Sequence, residues 1–307
     1  MMRINTDLLR ACIVTLLYIT VASCTGACAS SPSVKPVVHN FPVRSFVQIR
    51  QETLWEGCEL DTETKKEKCK KAVMRAVSSG AWVAHSEVDN STSYVLTAGH
   101  SCKSTHKPTT VIGGVKVTHL GQKFTIVDFN GYKHSGTVVS IEKRFDTCLL
   151  AVSNVFVKPP VLRVSVTEPK RGEVVYNMAA PHGIVAPRMV LTFDGYFSGH
   201  TPEGYAMYTI PTKPGSSGSP IVSANNELVG IIFAGYRSME NIGVASPLIA
   251  VKVFLKKSIA KAEMALWSAA NKGADQTTTS VIKRYQRLEK RLDEFFNVPK
   301  IESFDNK

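Results

Sequence analysis

The chain has 307 residues, of which 44% are hydrophobic and 20% are charged. This length and composition are sufficient for the hydrophobic core of one large domain or of two ordinary domains. They exclude a collagen-like, low-complexity or fully disordered chain. Lysine and arginine outnumber aspartate and glutamate 37 to 25, and the resulting charge of +12 permits acidic partners without identifying one. Beyond the first few dozen residues, no apolar run reaches the ~20 residues that cross a bilayer.

The first thirty residues have the order of a secretory signal. A charged start precedes the apolar stretch ACIVTLLYITVA, and the small residues SCTGACAS follow it. An A-x-A site predicts a signal peptide of residues 1–29 and leaves four of the seven cysteines, an even number. The competing VASC sequence resembles a bacterial lipoprotein box, with a signal of residues 1–23 and a lipid on Cys24. Both predict a protein that is secreted or held in the periplasm or cell envelope, where disulfides are permitted.

Segments rich in valine, isoleucine, threonine and aromatic residues alternate with turn residues up to about residue 247. Seven precede Pro159 and Pro160: VRSFVQIR, GAWVAH, SYVLTAG, KVTHL, KFTIVDF, GTVVSIE and CLLAVS. Seven more follow: VLRVSV, EVVYNMAA, RMVLTFDGYF, YAMYTI, SPIVSA, ELVGIIFAG and IGVASPL. Two such series predict an all-β protein made of two antiparallel barrels or sandwiches, over residues 40–158 and 159–256.

The C-terminal part changes from strand-like to helical patterning. Apolar residues recur at helical spacing over 248–259 and again over 281–295. We therefore expect a helical tail over 257–307. One interpretation is a helix packed on the barrels and followed by a solvated helix. The other interpretation is a short helix that mediates self-association or binds a partner. A helix of this length would be only marginally stable in isolation.

Three short motifs carry candidate chemistry, each at the junction of a strand and a loop. They are Thr97-Ala98-Gly99-His100, Phe145-Asp146-Thr147-Cys148-Leu149-Leu150 and Pro214-Gly215-Ser216-Ser217-Gly218-Ser219-Pro220. Each alone has an ordinary structural explanation. Together they supply a base, a carboxylate and a hydroxyl in the order His, Asp, Ser, which suits acyl transfer by an activated serine. A glycine at 215 also allows a turn that presents backbone amides to an oxyanion.

At these motifs the chain resembles the trypsin-like (chymotrypsin-fold) serine proteases, nearest to their short bacterial and phage-type, HtrA-like and glutamyl-endopeptidase-like branches. YVLTAGH resembles the family's histidine motif, FDTCLLAV its D-x-A-L-L motif, and PGSSGSP its nucleophile motif. The resemblance covers about residues 42–256. It implies two six-stranded antiparallel β-barrels with the active site in the cleft between them.

The resemblance also implies a role for each residue of the site. His100 is the base and acid, Asp146 orients it, and Ser217 is the nucleophile. The amides of Gly215 and Ser217 form the oxyanion hole. We therefore expect a serine endopeptidase that cleaves polypeptides through an acyl-enzyme, with no cofactor and no metal. The alternative is a catalytically silent member of the fold that acts as a binding or surface protein, and the complete set of motifs argues against it.

The same match places a specificity pocket beside the nucleophile. Its floor is expected at Pro211 and Thr212, and its walls at Phe233, Ala234, Gly235, Gly243 and Ala245. No side chain of this set is acidic, so cleavage after arginine or lysine is not expected, because a buried unpaired charge is costly. The two glycines predict a slot that is open to sizeable uncharged side chains. The rival prediction is glutamate selection, for which Thr212 and Ser246 would supply hydroxyls.

The cysteines predict disulfides, and the basic runs give no sign of a nucleic-acid partner. Cys58 and Cys69 bracket a polar segment, suit a disulfide that closes a hairpin, and match no metal spacing. Cys102 and Cys148 each lie two residues after a triad position, so a second disulfide is expected if the triad forms. Free thiols are the alternative for each pair. The runs KKEKCKK and KRYQRLEKR lack interleaved aromatic residues, so no nucleic-acid partner is expected, and membrane contact is expected only through a lipid on Cys24.

Overall fold

The computed structural model describes residues 40–60, 66–103, 109–112, 115–236, 238–271 and 278–296. The predicted signal and both of its processing sites lie outside these residues. The strands are β1 (Phe46–Leu60), β2 (Glu67–His85), β3 (Ser93–Ala98), β4 (Thr109–Ile112), β5 (Val115–Asp128), β6 (Lys133–Glu142), β7 (Thr147–Ser153), β8 (Val174–Ala179), β9 (Val185–Ala186), β10 (Met189–His200), β11 (Ala206–Tyr208), β12 (Pro220–Ser223), β13 (Leu228–Tyr236) and β14 (Met239–Pro247). Two helices follow, α1 (Leu248–Ala270) and α2 (Thr278–Phe296).

Strands β1 to β7 form the first barrel. Their hydrogen-bonded order is β1-β2-β3-β7-β6-β5, and the barrel closes because β1 also pairs with β5. The short strand β4 is added at the outer edge of β5. The interior is filled by β-branched, aromatic and aliphatic side chains that fit a pleated, enclosed surface. These include Val47, Ile49, Trp82, Val95, Ile126 and Leu150.

Strands β8 to β14 form the second barrel. The order β11-β14-β13-β12-β8-β10 closes through pairing of β10 with β11, and β9 extends the sheet from β10. Its interior contains Val175, Phe197, Tyr208, Ile221, Val229 and Ile232. The prediction of two six-stranded antiparallel barrels is therefore confirmed, with one short extra strand added to each.

Three predicted strands differ from the observed ones. KVTHL and KFTIVDF belong to one continuous strand, β5, because Gly121 and Gln122 keep pairing with β1 across a bulge. VLRVSV forms no ladder, and of its residues Val164 makes an isolated bridge to Leu228. In addition, β1 and β2 extend as a long antiparallel ribbon through Cys58 and Cys69, with β5 on the other side of β1 as far as Cys58. The sequence there is lysine-rich and shows no apolar alternation.

The two helices pack on the barrels. Val251, Leu255 and Ile259 of α1 are buried in a cluster that also holds core residues of both barrels. Leu288, Leu292 and Phe296 of α2 join the same cluster, so the expectation of a solvated second helix is wrong. The expected boundary at 256–257 falls inside α1.

A buried carboxylate fixes α1 to the first barrel. Glu263 accepts hydrogen bonds from the Tyr94 hydroxyl at 2.5 Å and from the amides of Glu87 and Val88 at 3.0 and 3.2 Å. Burial, with this carboxylate as hydrogen-bond partner, raises the pKa of Tyr94. Neither helix of the described ranges has the length and continuous apolar character that crossing a membrane requires.

Candidate active site

His100 and Asp146 are joined by two hydrogen bonds. His100 lies in a single 3-10 turn, Gly99–Ser101, which directly follows β3, and Asp146 lies in the turn before β7. His100 Nδ1 is 2.5 Å from Asp146 Oδ2, and the His100 amide donates to Asp146 Oδ1 at 2.8 Å. A carboxylate bonded at Nδ1 holds a proton there and leaves Nε2 free to act as a base. The imidazole is about half exposed, so it is open to a substrate.

The loop that carries Ser217 packs against the strand that leads to His100. Gly218 has a φ of 84°, a left-handed conformation that favours glycine. A Cβ at this position would lie 2.1 Å from the Ser79 carbonyl oxygen and 2.8 Å from the Ala98 amide. Ala98 ends β3 two residues before His100, so this close approach brings the serine and histidine motifs to one junction.

The three serines of this loop have different surroundings. Ser216 is buried, and its hydroxyl accepts from the Lys213 amide at 3.4 Å. Ser219 is also buried and accepts from Asn177 Nδ2 at 2.8 Å. Ser217 is half-buried and lines the cavity beside the loop. Of the three hydroxyls, the one at 217 is therefore the group available to a substrate.

Two amides of the loop remain available to an oxyanion. The Ser216 amide donates to Lys213 O at 2.9 Å, and the Gly218 amide donates to Ile232 O at 2.6 Å. Over the part of the chain that is described, the amides of Gly215 and Ser217 donate to no protein acceptor. Two free amides separated by one residue are what an oxyanion hole requires.

Ser79 supports this loop and was missed by sequence reasoning. Its amide donates to Ser217 O at 2.8 Å, its hydroxyl donates to Gly215 O at 2.9 Å, and the same hydroxyl accepts from the Ala180 amide at 3.0 Å. Thr97 in turn donates to Ser79 O at 2.7 Å. Ser79 stands in an ordinary strand sequence, so no local signal distinguishes it.

A cavity of about 290 Å³ lies beside Ser217. Its lining comprises Thr212, Lys213, Pro214, Ser216, Ser217, Ile232, Ala234, Gly235, Tyr236 and Glu240. Thr212, Ala234 and Gly235 were predicted for the pocket, whereas Pro211, Phe233, Gly243 and Ala245 are not part of this lining. Ala245 is fully buried in the core of the second barrel, and the Phe233 ring packs against Tyr205 with centroids 5.4 Å apart.

Thr212 fills the space that the two pocket glycines were expected to leave open. Its Oγ1 lies 1.9 Å from where a Cβ of Gly235 would stand, and its Cγ2 lies 3.2 Å from the corresponding point on Gly243. The glycines therefore make room for a threonine of the protein. The prediction of a slot open to sizeable side chains is not what this geometry favours.

The cavity also carries charge that the sequence reasoning did not assign to it. Glu240 lines it and forms an ion pair with Lys213, with Nζ and Oε1 2.5 Å apart. The hydrogen bond from Lys213 lowers the pKa of the Glu240 carboxyl. Because the carboxylate is already paired and is mostly exposed, it does not provide a dedicated partner for a buried arginine or lysine.

The structure contains both expected disulfides. Cys58 and Cys69 are bonded with a Cα–Cα distance of 4.1 Å, and Cys102 and Cys148 with one of 6.4 Å. The second disulfide ties the turn that carries His100 to the strand that follows Asp146. Cys58, Glu67 and Cys69 lie close enough to suggest a metal site, but the two cysteines are oxidised and offer no thiolate.

Comparison with known proteins agrees with this geometry. Residues 79–231, about half of the chain, match the family model of the trypsin-like peptidase domain. No curated protein matches the sequence. A crystal structure of the serine endoprotease from Yersinia pestis is similar with a TM-score of 0.50 and 17% identity, over 71% of this chain and 63% of that one. The match thus spans less than two thirds of the Yersinia chain.

A second similar structure is that of an M. tuberculosis protein in an inactive form, with serine replaced by alanine. Its TM-score is 0.49 at 16% identity, over 73% of this chain and 93% of that one. At such identities the likeness to solved structures shows the fold alone. The family match, the two closed barrels and the site geometry agree, and the chain belongs to the trypsin-like serine proteases.

Proposed function

We propose that this protein is a secreted serine endopeptidase that acts through His100, Asp146 and Ser217. The observation that carries the proposal is the half-buried Ser217, flanked by two unused amides, in a loop that packs against the strand leading to a histidine whose Nδ1 is bonded to a carboxylate.

In the proposed reaction, Ser217 Oγ attacks the carbonyl carbon of the scissile bond while His100 Nε2 takes the hydroxyl proton. The amides of Gly215 and Ser217 donate to the oxyanion, and Asp146 stabilises the imidazolium. His100 then gives the proton to the leaving amine as the carbon–nitrogen bond breaks, which leaves an acyl-enzyme. His100 next deprotonates a water molecule, which attacks the carbonyl carbon of the ester. The bond from that carbon to Ser217 Oγ breaks, and His100 returns the proton to Ser217 Oγ.

We further propose that the residue before the scissile bond has a small uncharged side chain. The position of Thr212 against Gly235 and Gly243 supports this preference, because it shortens the cavity beside Ser217. Secretion rests on the signal-like first 29 residues, and the two disulfides of the described chain support it, because such bonds persist in oxidising compartments.

The test uses a fluorophosphonate probe and a peptide substrate with alanine before the scissile bond. The wild-type protein should be labelled and should cleave the peptide, and Ser217→Ala should lose labelling and roughly 10⁴–10⁶ in turnover, because triad residues act as a unit. Ser216→Ala is the matched control and should retain both. A wild-type protein that is folded yet neither labels nor cleaves would instead be the silent member of the fold.

A further inference from the structure

The hairpin loop that carries Asp146 is closed by a side chain. Glu142 is the last residue of β6, and the loop that follows, 143–146, leads directly into β7. One carboxylate oxygen of Glu142 accepts from the Arg144 amide at 2.7 Å, and the other accepts from the Phe145 amide at 2.6 Å. In the described chain, neither amide donates to a backbone carbonyl. The Glu142 carboxylate therefore supplies the acceptor that a backbone carbonyl supplies in an ordinary turn.

Asp146 has an unusual backbone conformation at the end of this loop. Its φ is 52°, in the left-handed region that residues other than glycine seldom enter. Such a conformation persists only where the surrounding contacts impose it. The Asp146 carbonyl accepts from the Gly99 amide at 2.7 Å, and Glu142 fixes the two amides that precede Asp146. The backbone of Asp146 is thus held from both sides.

This backbone conformation decides how the Asp146 carboxylate meets His100. Oδ1 accepts from the His100 amide at 2.8 Å, and Oδ2 lies 2.5 Å from Nδ1, so both oxygens are engaged. The fit is close, because a Cβ on Gly99 would stand 2.9 Å from Oδ1. A change of φ at Asp146 would move both oxygens together and lengthen the bond to Nδ1.

Phe145 connects Glu142 to Asp146 and is held at three points. Its amide donates to Glu142, and its carbonyl accepts from the Ser246 hydroxyl at 2.5 Å. Its ring packs against Tyr205 of the second barrel, with centroids 6.0 Å apart. Because Phe145 has little freedom, a displacement of its amide is passed to the next residue, which is Asp146.

We infer that Glu142 is a positioning residue of the active site, whose carboxylate holds loop 143–146 in the conformation that presents Asp146 to His100. The inference rests on the proposed function and deepens it. Glu142 acts through Asp146, since its carboxylate binds the backbone of the loop. The bonds are charge-assisted, and in the described chain Glu142 forms no ion pair that would compete with them.

The first experiment measures peptide cleavage by variants of Glu142. Glu142→Ala removes both acceptors, so we expect kcat to fall about tenfold with KM within about twofold, because a small misplacement of a reacting group is costly. Glu142→Gln keeps one acceptor oxygen and should lose only about threefold. Glu173→Ala is the matched control, since Glu173 accepts from the Lys170 amide at 2.8 Å in a turn before β8. This control should keep kcat within about twofold.

The second experiment separates positioning from a merely structural role. The rate of fluorophosphonate labelling is measured for Glu142→Ala in the wild-type protein and in the Asp146→Asn protein. Labelling should slow about tenfold in the first background and less than about twofold in the second, where no carboxylate remains to be positioned. Urea unfolding of each variant reports the loss of stability separately from the loss of rate.

Three outcomes would overturn the inference. They are a normal kcat in Glu142→Ala, an equal loss in Glu173→Ala, and a tenfold effect of Glu142→Ala that persists in the Asp146→Asn protein. The last two would mean that the loss comes from weakened turns in general or by a route that does not include Asp146.

A wild-type protein that cleaves no peptide would contradict the proposed function but would leave this inference testable by NMR. The proton on His100 Nδ1 should give a low-field signal, because it lies in a short bond to a carboxylate. We expect the signal in wild type and in Glu142→Gln, and its loss in Glu142→Ala. An unchanged signal in Glu142→Ala, or none in wild type, would overturn the positioning role.

Discussion

The backbone amide of Ser79 donates a hydrogen bond of 2.8 Å to the carbonyl oxygen of Ser217. This bond connects β2 of the first barrel to the loop of the second barrel that carries the candidate nucleophile. The Ser79 hydroxyl adds a bond to the carbonyl of Gly215, at the other end of the same segment. One buried residue of the first barrel thus fixes the conformation of the segment whose two amides would bind the oxyanion.

Ser79→Ala should therefore weaken catalysis without preventing folding. The backbone bond remains, but Gly215 O loses its donor and the Ala180 amide loses its acceptor, so the oxyanion segment is held less firmly. We expect kcat to fall about tenfold with a small change in KM. Ser78→Ala, a neighbouring buried serine, is the control and should keep kcat within about twofold. A Ser79→Ala enzyme with normal kcat would show that the hydroxyl only stabilises the fold.

The features predicted from the sequence are those that a local pattern encodes. Apolar runs broken by turn residues predicted most strands of the two barrels, and three strand-end motifs predicted His100, Asp146 and Ser217 as neighbours. The role of Ser79 depends on a contact 138 positions away, between two barrels, and nothing in its own neighbourhood marks it. A disulfide-closed hairpin at Cys58 and Cys69 was expected, but the length of its strands was missed for a related reason. Pairing and a disulfide, rather than apolar alternation, make these lysine-rich residues strands.

The cavity beside Ser217 shows the limit of reasoning from residue types. Gly235 and Gly243 were expected to leave a slot open, since glycine has no side chain to fill it. In the structure the side chain of Thr212 fills that space. Which side chain enters a gap depends on the tertiary placement of the segment that precedes the nucleophile loop, and no local sequence pattern reveals that placement.

Thr212→Ala should widen the substrate preference. The change removes Oγ1 and Cγ2, the two atoms that lie against the glycines, and enlarges the cavity beside Ser217. We expect the ratio of kcat/KM for peptides with phenylalanine and with alanine before the scissile bond to rise about tenfold or more, because each methylene accommodated is worth ~1–3 kcal/mol. Thr137→Ala, on the outside of β6, should leave the ratio unchanged. An unchanged ratio in Thr212→Ala would place the specificity cavity elsewhere.

Removal of the Cys102–Cys148 disulfide should reduce both stability and activity. The bond closes a separation of 46 residues, which corresponds to about 4 kcal/mol in the chain-entropy model. It also ties the turn of His100 to the strand after Asp146, so we expect kcat to fall about tenfold in the Cys102→Ala, Cys148→Ala protein. Urea unfolding and peptide cleavage provide the two measurements.

The Cys58→Ala, Cys69→Ala protein is the comparison for this prediction. The Cys58–Cys69 disulfide closes a separation of 11 residues, so its loss should cost about 3 kcal/mol of folding stability in the chain-entropy model. This disulfide lies on the ribbon, away from His100 and Asp146. The activity of this double variant on the peptide substrate should fall by a smaller factor. Free thiols at 102 and 148 in the unreduced protein, or equal activities of the two double variants, would contradict the prediction.

We expect the buried Tyr94 to make the folded protein lose stability toward unfolding at alkaline pH. Burial and the hydrogen bond to Glu263 raise the pKa of its hydroxyl above the ordinary value of 10.0. The folded protein then retains a proton that the unfolded chain releases, so the contribution is complete below about pH 10 and declines as pH rises from there toward the folded-state pKa. The expected slope is ~1.4 kcal/mol of unfolding free energy per pH unit for this one group. Tyr94→Phe should lose that slope when urea unfolding is measured between pH 9 and 11, and the exposed Tyr132→Phe should keep it.

At neutral pH, Tyr94→Phe should lower the free energy of unfolding by about 1–3 kcal/mol, because Glu263 retains the amides of Glu87 and Val88 but loses its hydroxyl donor. An alkaline slope that is the same in Tyr94→Phe and wild type would assign the effect to other groups and overturn this account.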